Sequence, residues 1–132
     1  MSITLRGLDH LVLRVRDLDA MTAWYCTVLG MTVERRQAAI GLTQLRAGAQ
    51  LVDLVAVDGR LGRTGGAAPG DEGRNLDHFC LNVEGFDLEA VTAHLEAHGV
   101  SVGESGLRYG AGGEGLSVYL TDPEGNGVEL RG

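Results

Sequence analysis

The sequence predicts an α+β fold in which one βαβββ unit occurs twice. The tripeptide Leu8-Asp9-His10 recurs unchanged as Leu76-Asp77-His78, and a segment with helical periodicity follows each copy and ends at a glycine. The two halves also close on matching tripeptides, Val52-Asp53-Leu54 and Val128-Glu129-Leu130. Agreement in both motifs and order is typical of a duplicated supersecondary unit. We therefore expect a single domain over residues 1–132.

The first unit, at about residues 5–58, begins with a largely apolar run from 8 to 15 that is typical of a buried strand. Asp17 or Asp19 is the expected N-cap of the helix that follows, and Gly30 provides the left-handed residue that ends it. The apolar residues of this helix recur with the spacing of one helix face: Met21, Trp24, Tyr25, Val28 and Leu29. Three strands are predicted next, at residues 31–36, 41–46 and 50–57.

The second unit, at about residues 75–132, follows a linker at 59–74 and repeats the same order of elements. Its predicted elements are a strand at 77–83, a helix at 87–98, and strands near 100–104, 116–121 and 127–131. A tight turn is expected at Asp122-Pro123-Glu124-Gly125-Asn126. The glycine-rich segment 105–115 is predicted to be a flexible loop. It is interpreted either as a lid that brings Arg108 or Tyr109 over the site, where they contact substrate, or as a plain hairpin tip.

Four side chains of the two units are candidates for a metal site. Strand residues alternate between faces, and duplicated units place their first strands, and their last strands, in equivalent positions. His10 and His78 on the first strands are then expected to face Asp53 and Glu129 on the last strands across one cavity. Charged groups on apolar strands are rarely buried unless they are paired or metal-bound. Imidazole nitrogens with carboxylate oxygens suit a divalent metal ion.

The charge of the chain argues against several classes of partner. The net charge is −7, and all 11 basic residues are arginines without a basic run. Such a chain is a poor candidate for binding nucleic acid or an anionic membrane. No export signal or apolar segment long enough to span a bilayer is recognisable. We therefore expect a cytoplasmic protein whose two cysteines, Cys26 and Cys80, are reduced.

These motifs resemble the vicinal oxygen chelate superfamily. The resemblance rests on the two Leu-Asp-His tripeptides, the helix from Trp24-Tyr25 to Leu29-Gly30-Met31, the turn at 122–126 and Val128-Glu129-Leu130. The family includes glyoxalase I, extradiol dioxygenases, fosfomycin-modifying enzymes, methylmalonyl-CoA epimerase and metal-free bleomycin-binding proteins. It implies paired βαβββ units forming a curled mixed sheet around a metal, and small substrates that chelate this metal through adjacent oxygens. It also implies a homodimer, because short members are often completed by a second chain.

The resemblance also assigns roles to single residues. It implies that His10, His78 and Glu129 are metal ligands, whereas Asp53 stands where the family usually has Glu or Gln. Because aspartate is one methylene shorter, Asp53 ligates directly, holds a metal-bound water or misses the metal. In the last case the site becomes the two-histidine, one-carboxylate triad of non-haem iron oxygenases. The expected cofactor is one divalent ion, which can be Ni, Co, Zn, Mn or Fe.

Arg14 matches an arginine that binds the glutathione carboxylate in glyoxalase I. The asparagine that accompanies it there is replaced by Val57 in this sequence. Half of that glutathione signature is therefore missing. Arg14 is interpreted either as a substrate-binding residue or as part of a salt bridge at the rim of the cavity.

Three functions are compatible with this resemblance. The first is a glyoxalase-type lyase or isomerase, in which the metal stabilises an enediolate and Glu129 is the catalytic base. The second is an extradiol-type ring-cleaving dioxygenase, or a thiol transferase, with a His-His-Glu site. The third is a non-catalytic drug-binding resistance protein of the bleomycin-binding kind. The presence of three clear ligands argues against the third, because a metal-free binder has no need of them.

Overall fold

The computed structural model describes residues 1–132, which form two compact units, Met1–Pro69 (unit 1) and Gly70–Gly132 (unit 2). Each unit contains one α-helix and one four-stranded mixed sheet. The predicted α+β class and the duplicated βαβββ order are thereby confirmed. No helix of either unit combines the length and the apolar character needed to cross a membrane.

In unit 1 the elements are β1 (His10–Val15), α1 (Leu18–Leu29), β2 (Thr32–Gln37), β3 (Leu42–Ala47) and β4 (Gln50–Ala56). The strand order across the sheet is β1-β4-β3-β2. β1 runs parallel to β4, and the other neighbours are antiparallel. This pairing makes β1 an edge strand that is adjacent to the last strand of its own unit.

Helix α1 covers one face of the unit 1 sheet, and the side chains of His10 and Asp53 lie on the other face. Asp17 caps the helix, since its side chain accepts a hydrogen bond from the Ala20 amide at 2.9 Å. The helix ends at Gly30, whose φ of 70° is in the left-handed region that glycine adopts without strain. α1 packs on β2, β3 and β4. The core residues of this face are Leu13, Val15, Met21, Tyr25, Val28, Leu45, Val52 and Leu54.

Unit 2 repeats this arrangement with β5 (Phe79–Asn82), α2 (Leu88–Ala97), β6 (Ser105–Gly110), β7 (Gly113–Thr121) and β8 (Gly127–Arg131). The strand order is β5-β8-β7-β6, and β5 is parallel to β8. Asp122 stabilises the predicted tight turn, because its Oδ1 accepts hydrogen bonds from the Glu124 and Asn126 amides, both at 2.9 Å. The last two strands are therefore held in register by a side chain of the turn itself.

The prediction of a flexible loop at 105–115 is wrong. These residues form β6, its turn and the start of β7, and residues 100–104, which were expected to be a strand, lie outside the strands. The glycines of this hairpin make room for arginine side chains. A Cβ added at Gly110 would lie 1.9 Å from Arg131 Nη1, and one at Gly115 would lie 2.6 Å from Arg131 Nη2. Glycine here indicates close approach of a side chain to a strand.

Candidate functional site

The four predicted metal ligands form two pairs, one in each unit. His10 and Asp53 belong to unit 1, and His78 and Glu129 belong to unit 2. No group of three or more His, Cys, Asp or Glu side chains in the chain is arranged to hold a metal ion.

In unit 1, strand pairing places Asp53 on the sheet face that carries the side chain of His10. Asp53 lies opposite Val12 in the parallel pair β1–β4, and residues two apart on a strand share a face. The Asp53 carboxylate is buried, with 4% of the residue exposed. It accepts hydrogen bonds from Gln44 Nε2 at 3.3 and 3.2 Å. Gln44 therefore fixes a carboxylate whose charge also helps to raise the pKa of His10, after the larger effect of Asp9.

In unit 2 the histidine and the carboxylate are in direct contact. His78 Nε2 lies 3.2 Å from Glu129 Oε1, and Ser117 Oγ donates a hydrogen bond to Glu129 Oε2 at 2.6 Å. Burial, with 6% of the residue exposed, raises the pKa of Glu129, but hydrogen bonds from Ser117, Tyr119 and Cys80 outweigh it. The pKa of Glu129 is thereby lowered, which keeps this carboxylate ionised at neutral pH.

Each histidine is oriented by the aspartate that precedes it. His10 Nδ1 lies 2.7 Å from Asp9 Oδ1, and His78 Nδ1 lies 2.5 Å from Asp77 Oδ2. A carboxylate on one ring nitrogen fixes the ring and leaves the other nitrogen, Nε2, for a ligand, as in metal sites whose histidines are supported in this way. The same contact raises the pKa of His78 and lowers that of Asp77. The repeated Asp-His dipeptide was the available signal for these two aspartates, which the sequence analysis did not single out.

Arg14 donates hydrogen bonds to backbone carbonyls of the linker loop in unit 1. It lies opposite Val55 in the β1–β4 pair. Its Nε donates to Gly62 O at 2.8 Å, and its Nη2 donates to Gly66 O at 2.7 Å. Nη1 donates to the carbonyls of Gly65 and Ala67. The role of Arg14 in substrate binding stays a prediction. In the structure its hydrogen bonds hold the backbone of residues 62–67.

Arg108 and Tyr109 are on opposite faces of the unit 2 sheet. Arg108 shares the face of Glu129, where its Nε donates to Tyr119 Oη at 3.2 Å and its Nη2 lies 3.2 Å from Glu104 Oε1. Tyr109 is 87% exposed on the other face. Of these two predicted substrate-binding residues, the structure therefore brings only Arg108 to the face that carries Glu129.

Known proteins match nearly the whole chain. The family described as the Glyoxalase/Bleomycin resistance protein/Dioxygenase superfamily matches residues 7–130. The glyoxalase domain-containing protein RDO1 of Mycosarcoma maydis is 33% identical over 97% of this chain and 69% of its own length. The glutathione transferase FosA of Serratia marcescens is 29% identical over 96% of this chain and 80% of its own length.

A solved structure shares the same fold. An integron cassette protein from the mobile metagenome of V. cholerae superimposes with a TM-score of 0.81 at 29% identity. The match covers 99% of this chain and 98% of that protein. The order of elements described above is therefore that of a known fold along its full length.

Proposed function

This chain belongs to the Glyoxalase/Bleomycin resistance protein/Dioxygenase superfamily, and on that basis we propose that it is a divalent-metal-dependent enzyme acting on a small substrate. The proposed reaction is a glyoxalase-type lyase or isomerase step on a substrate with adjacent oxygens. The main observation in its favour is that both histidines are oriented by an aspartate through Nδ1 and share a sheet face with a buried carboxylate. The superfamily contains enzymes, and FosA is one of them by name.

The residues present fit a divalent ion. Imidazole Nε2 and carboxylate oxygens are donors that Zn, Mn, Fe, Co and Ni accept. In unit 2 one donor of each kind is already 3.2 Å apart, at His78 Nε2 and Glu129 Oε1. We propose His10, His78 and Glu129 as ligands, with Asp53 as the fourth.

In the proposed mechanism the metal supplies Lewis-acid stabilisation of the negative charge that develops on the substrate oxygens. Glu129 is the proposed base, which accepts the proton from the carbon next to those oxygens. Its lowered pKa leaves it ionised and able to accept a proton, but also makes it a weaker base than an ordinary glutamate. Ser117 holds Oε2 through a 2.6 Å hydrogen bond, so that the carboxylate has one fixed orientation.

A second candidate reaction is supported by one relative. FosA is named a glutathione transferase and is similar over 96% of this chain. Thiol addition to an electrophilic substrate would use the same metal and the same Glu129 face. Assays with glutathione and with a hemithioacetal substrate separate the two reactions, because only the transferase consumes the thiol.

Binding of the divalent metal ion is expected to depend on His78. Protein purified without an affinity tag should contain about one divalent ion per chain. His78→Ala should lose this ion, because the substitution removes the donor nitrogen next to Glu129. His94→Ala is the matched control, since His94 lies on helix α2, outside the proposed ligand set. Elemental analysis of the three proteins is the measurement, and full metal retention in His78→Ala would contradict the assignment.

We also expect a homodimer. Unit 1 exposes large apolar side chains along its N-terminal segment and edge strand: Ile3, Leu5, Leu8 and Val12. Exposed apolar side chains near an edge strand are typical of an interface. Light scattering should give twice the chain mass at micromolar concentration. Leu8→Asp should shift the equilibrium towards monomer, whereas Leu61→Asp, a change of another exposed leucine, should not. A monomeric wild-type protein would overturn this expectation.

A further inference from the structure

Arg131, at the end of β8, is a buried cation that forms no ion pair with an Asp or Glu side chain. Only 7% of the residue is exposed. Its Nη2 donates to Gly113 O at 2.8 Å and its Nε to Gly132 O at 3.5 Å, and it forms no ion pair. Buried arginines are usually paired with a carboxylate or another anion, because desolvation of an unpaired charge is costly. No side-chain carboxylate is within ion-pair distance of Arg131.

One end of this guanidinium is available to a ligand. Nη1 makes no hydrogen bond, whereas Nη2 and Nε each have a backbone acceptor. No fully buried side-chain nitrogen or oxygen in the chain lacks a partner. Nη1 is therefore not fully buried, and its N–H groups have no acceptor within the protein.

The strands around Arg131 are shaped for its side chain. Added Cβ atoms at Gly110 and Gly115 would fall within 1.9 and 2.6 Å of its terminal nitrogens. Glycines at these two positions let the guanidinium lie against the backbone of the β6–β7 hairpin, where the Gly113 carbonyl fixes it. A buried side chain held in one orientation loses little further entropy when it binds a ligand.

Arg131 also lies next to the proposed catalytic base. It is two residues from Glu129 on β8, so both side chains are on one face. Arg131 lies opposite Ser117 in the β7–β8 pair, and Ser117 Oγ donates the hydrogen bond that holds Glu129 Oε2.

We propose that Arg131 binds an anionic oxygen group, a carboxylate or a phosphonate, of the substrate. That this anion belongs to the substrate rests on the function proposed above, whereas the anion site itself does not. A guanidinium offers paired N–H donors that match two oxygens of such a group. The enzyme would then select substrates that carry an acidic group.

The test uses NMR signals of the arginine N–H groups in the full-length protein, titrated with acetate and with methylphosphonate. The Arg131 signals should shift saturably with at least one of the two anions, and the responding anion identifies the group. Arg131→Lys should weaken this binding about tenfold, since it keeps the charge and loses the paired donors. Arg131→Met should abolish it. Arg46→Met is the matched control, because Arg46 is ion-paired to Glu34 on the surface of unit 1.

Each titration is repeated with a chelator present, so that the anion site and the metal site are judged separately. A saturable shift of the Arg131 signals that persists without metal supports the anion site even if the proposed function fails. Metal binding without any saturable Arg131 shift overturns the anion site and leaves the proposed function intact. If Arg131→Met does not fold by circular dichroism, the wild-type titration and Arg131→Lys still decide the result.

Discussion

Glu129→Gln is expected to lower the affinity for the divalent metal by about a hundredfold or more, beyond the range typical of residues that only support a ligand. The substitution removes a negative charge and presents an amide at a position where Ser117 already donates a hydrogen bond. It also leaves His78 Nε2 without the carboxylate that lies 3.2 Å away. Competition titration against a chelator measures this affinity. Glu114→Gln on β7 is a matched control, because its register places it on the opposite sheet face, with Tyr109.

The same titration on Asp53 variants decides how many ligands the site has. If Asp53 ligates directly, Asp53→Asn should approach the loss seen with Glu129→Gln, and Asp53→Glu should be tolerated. If Asp53 holds only a water, Asp53→Asn should cost roughly ten- to a hundredfold at most. Its location on the His10 face is compatible with direct ligation, but Gln44 donates to both of its oxygens and would have to give up at least one of these hydrogen bonds. Unchanged affinity in Glu129→Gln would contradict the proposed site altogether.

Gly62→Ala is expected to produce the largest loss of stability among the alanine substitutions in the linker. A Cβ at this position would lie 1.9 Å from the carbonyl oxygen of Ala56, which is backbone and cannot move aside cheaply. Gly62 O also accepts the Arg14 Nε hydrogen bond, so displacing the loop disturbs Arg14 as well. Overpacking of this kind typically costs about 1–3 kcal/mol, which corresponds to a fall in Tm of several degrees.

Gly73→Ala provides the control for this substitution. Gly73 lies in the same glycine-rich connection, has no positive φ and has nothing within 4 Å of an added Cβ. Its replacement should leave the Tm nearly unchanged. Calorimetry on both variants makes the comparison. Equal melting temperatures for Gly62→Ala and the wild type would show that the loop relaxes more easily than its backbone contacts indicate.

The elements that could be predicted from the sequence are those specified by local signals. The spacing of Met21, Tyr25 and Val28 marks the buried face of α1, and Asp17 and Gly30 mark its ends through capping chemistry. The hairpin of β6 and β7 was missed because its glycines suggest a flexible loop. Two of these glycines, Gly110 and Gly115, lie against the side chain of Arg131, a residue distant in sequence, and no local pattern reveals that contact.

In the candidate site, too, the features set by local sequence patterns could be predicted, whereas those set by contacts between distant strands could not. Strand alternation correctly placed Asp53 on the face of His10, because both lie on strands identified from their apolar runs. Alternation also separates Arg108 from Tyr109, but only once residues 105–110 are known to be a strand. The hydrogen bond from Ser117 to Glu129 depends on the register between β7 and β8, which the sequence alone does not supply.

The positions of Arg14 and Arg131 bear on how the two halves diverged after duplication. Arg14 is on the first strand of unit 1, opposite Val55 on the last strand. Arg131 is on the last strand of unit 2, opposite Asn82 on the first strand. When the two halves are aligned as repeats, Arg14 corresponds to Asn82 and Val55 corresponds to Arg131, so the residues differ at both positions. Each unit therefore has one arginine at the equivalent cross-strand pair of its first and last strands, on the first strand in unit 1 and on the last strand in unit 2.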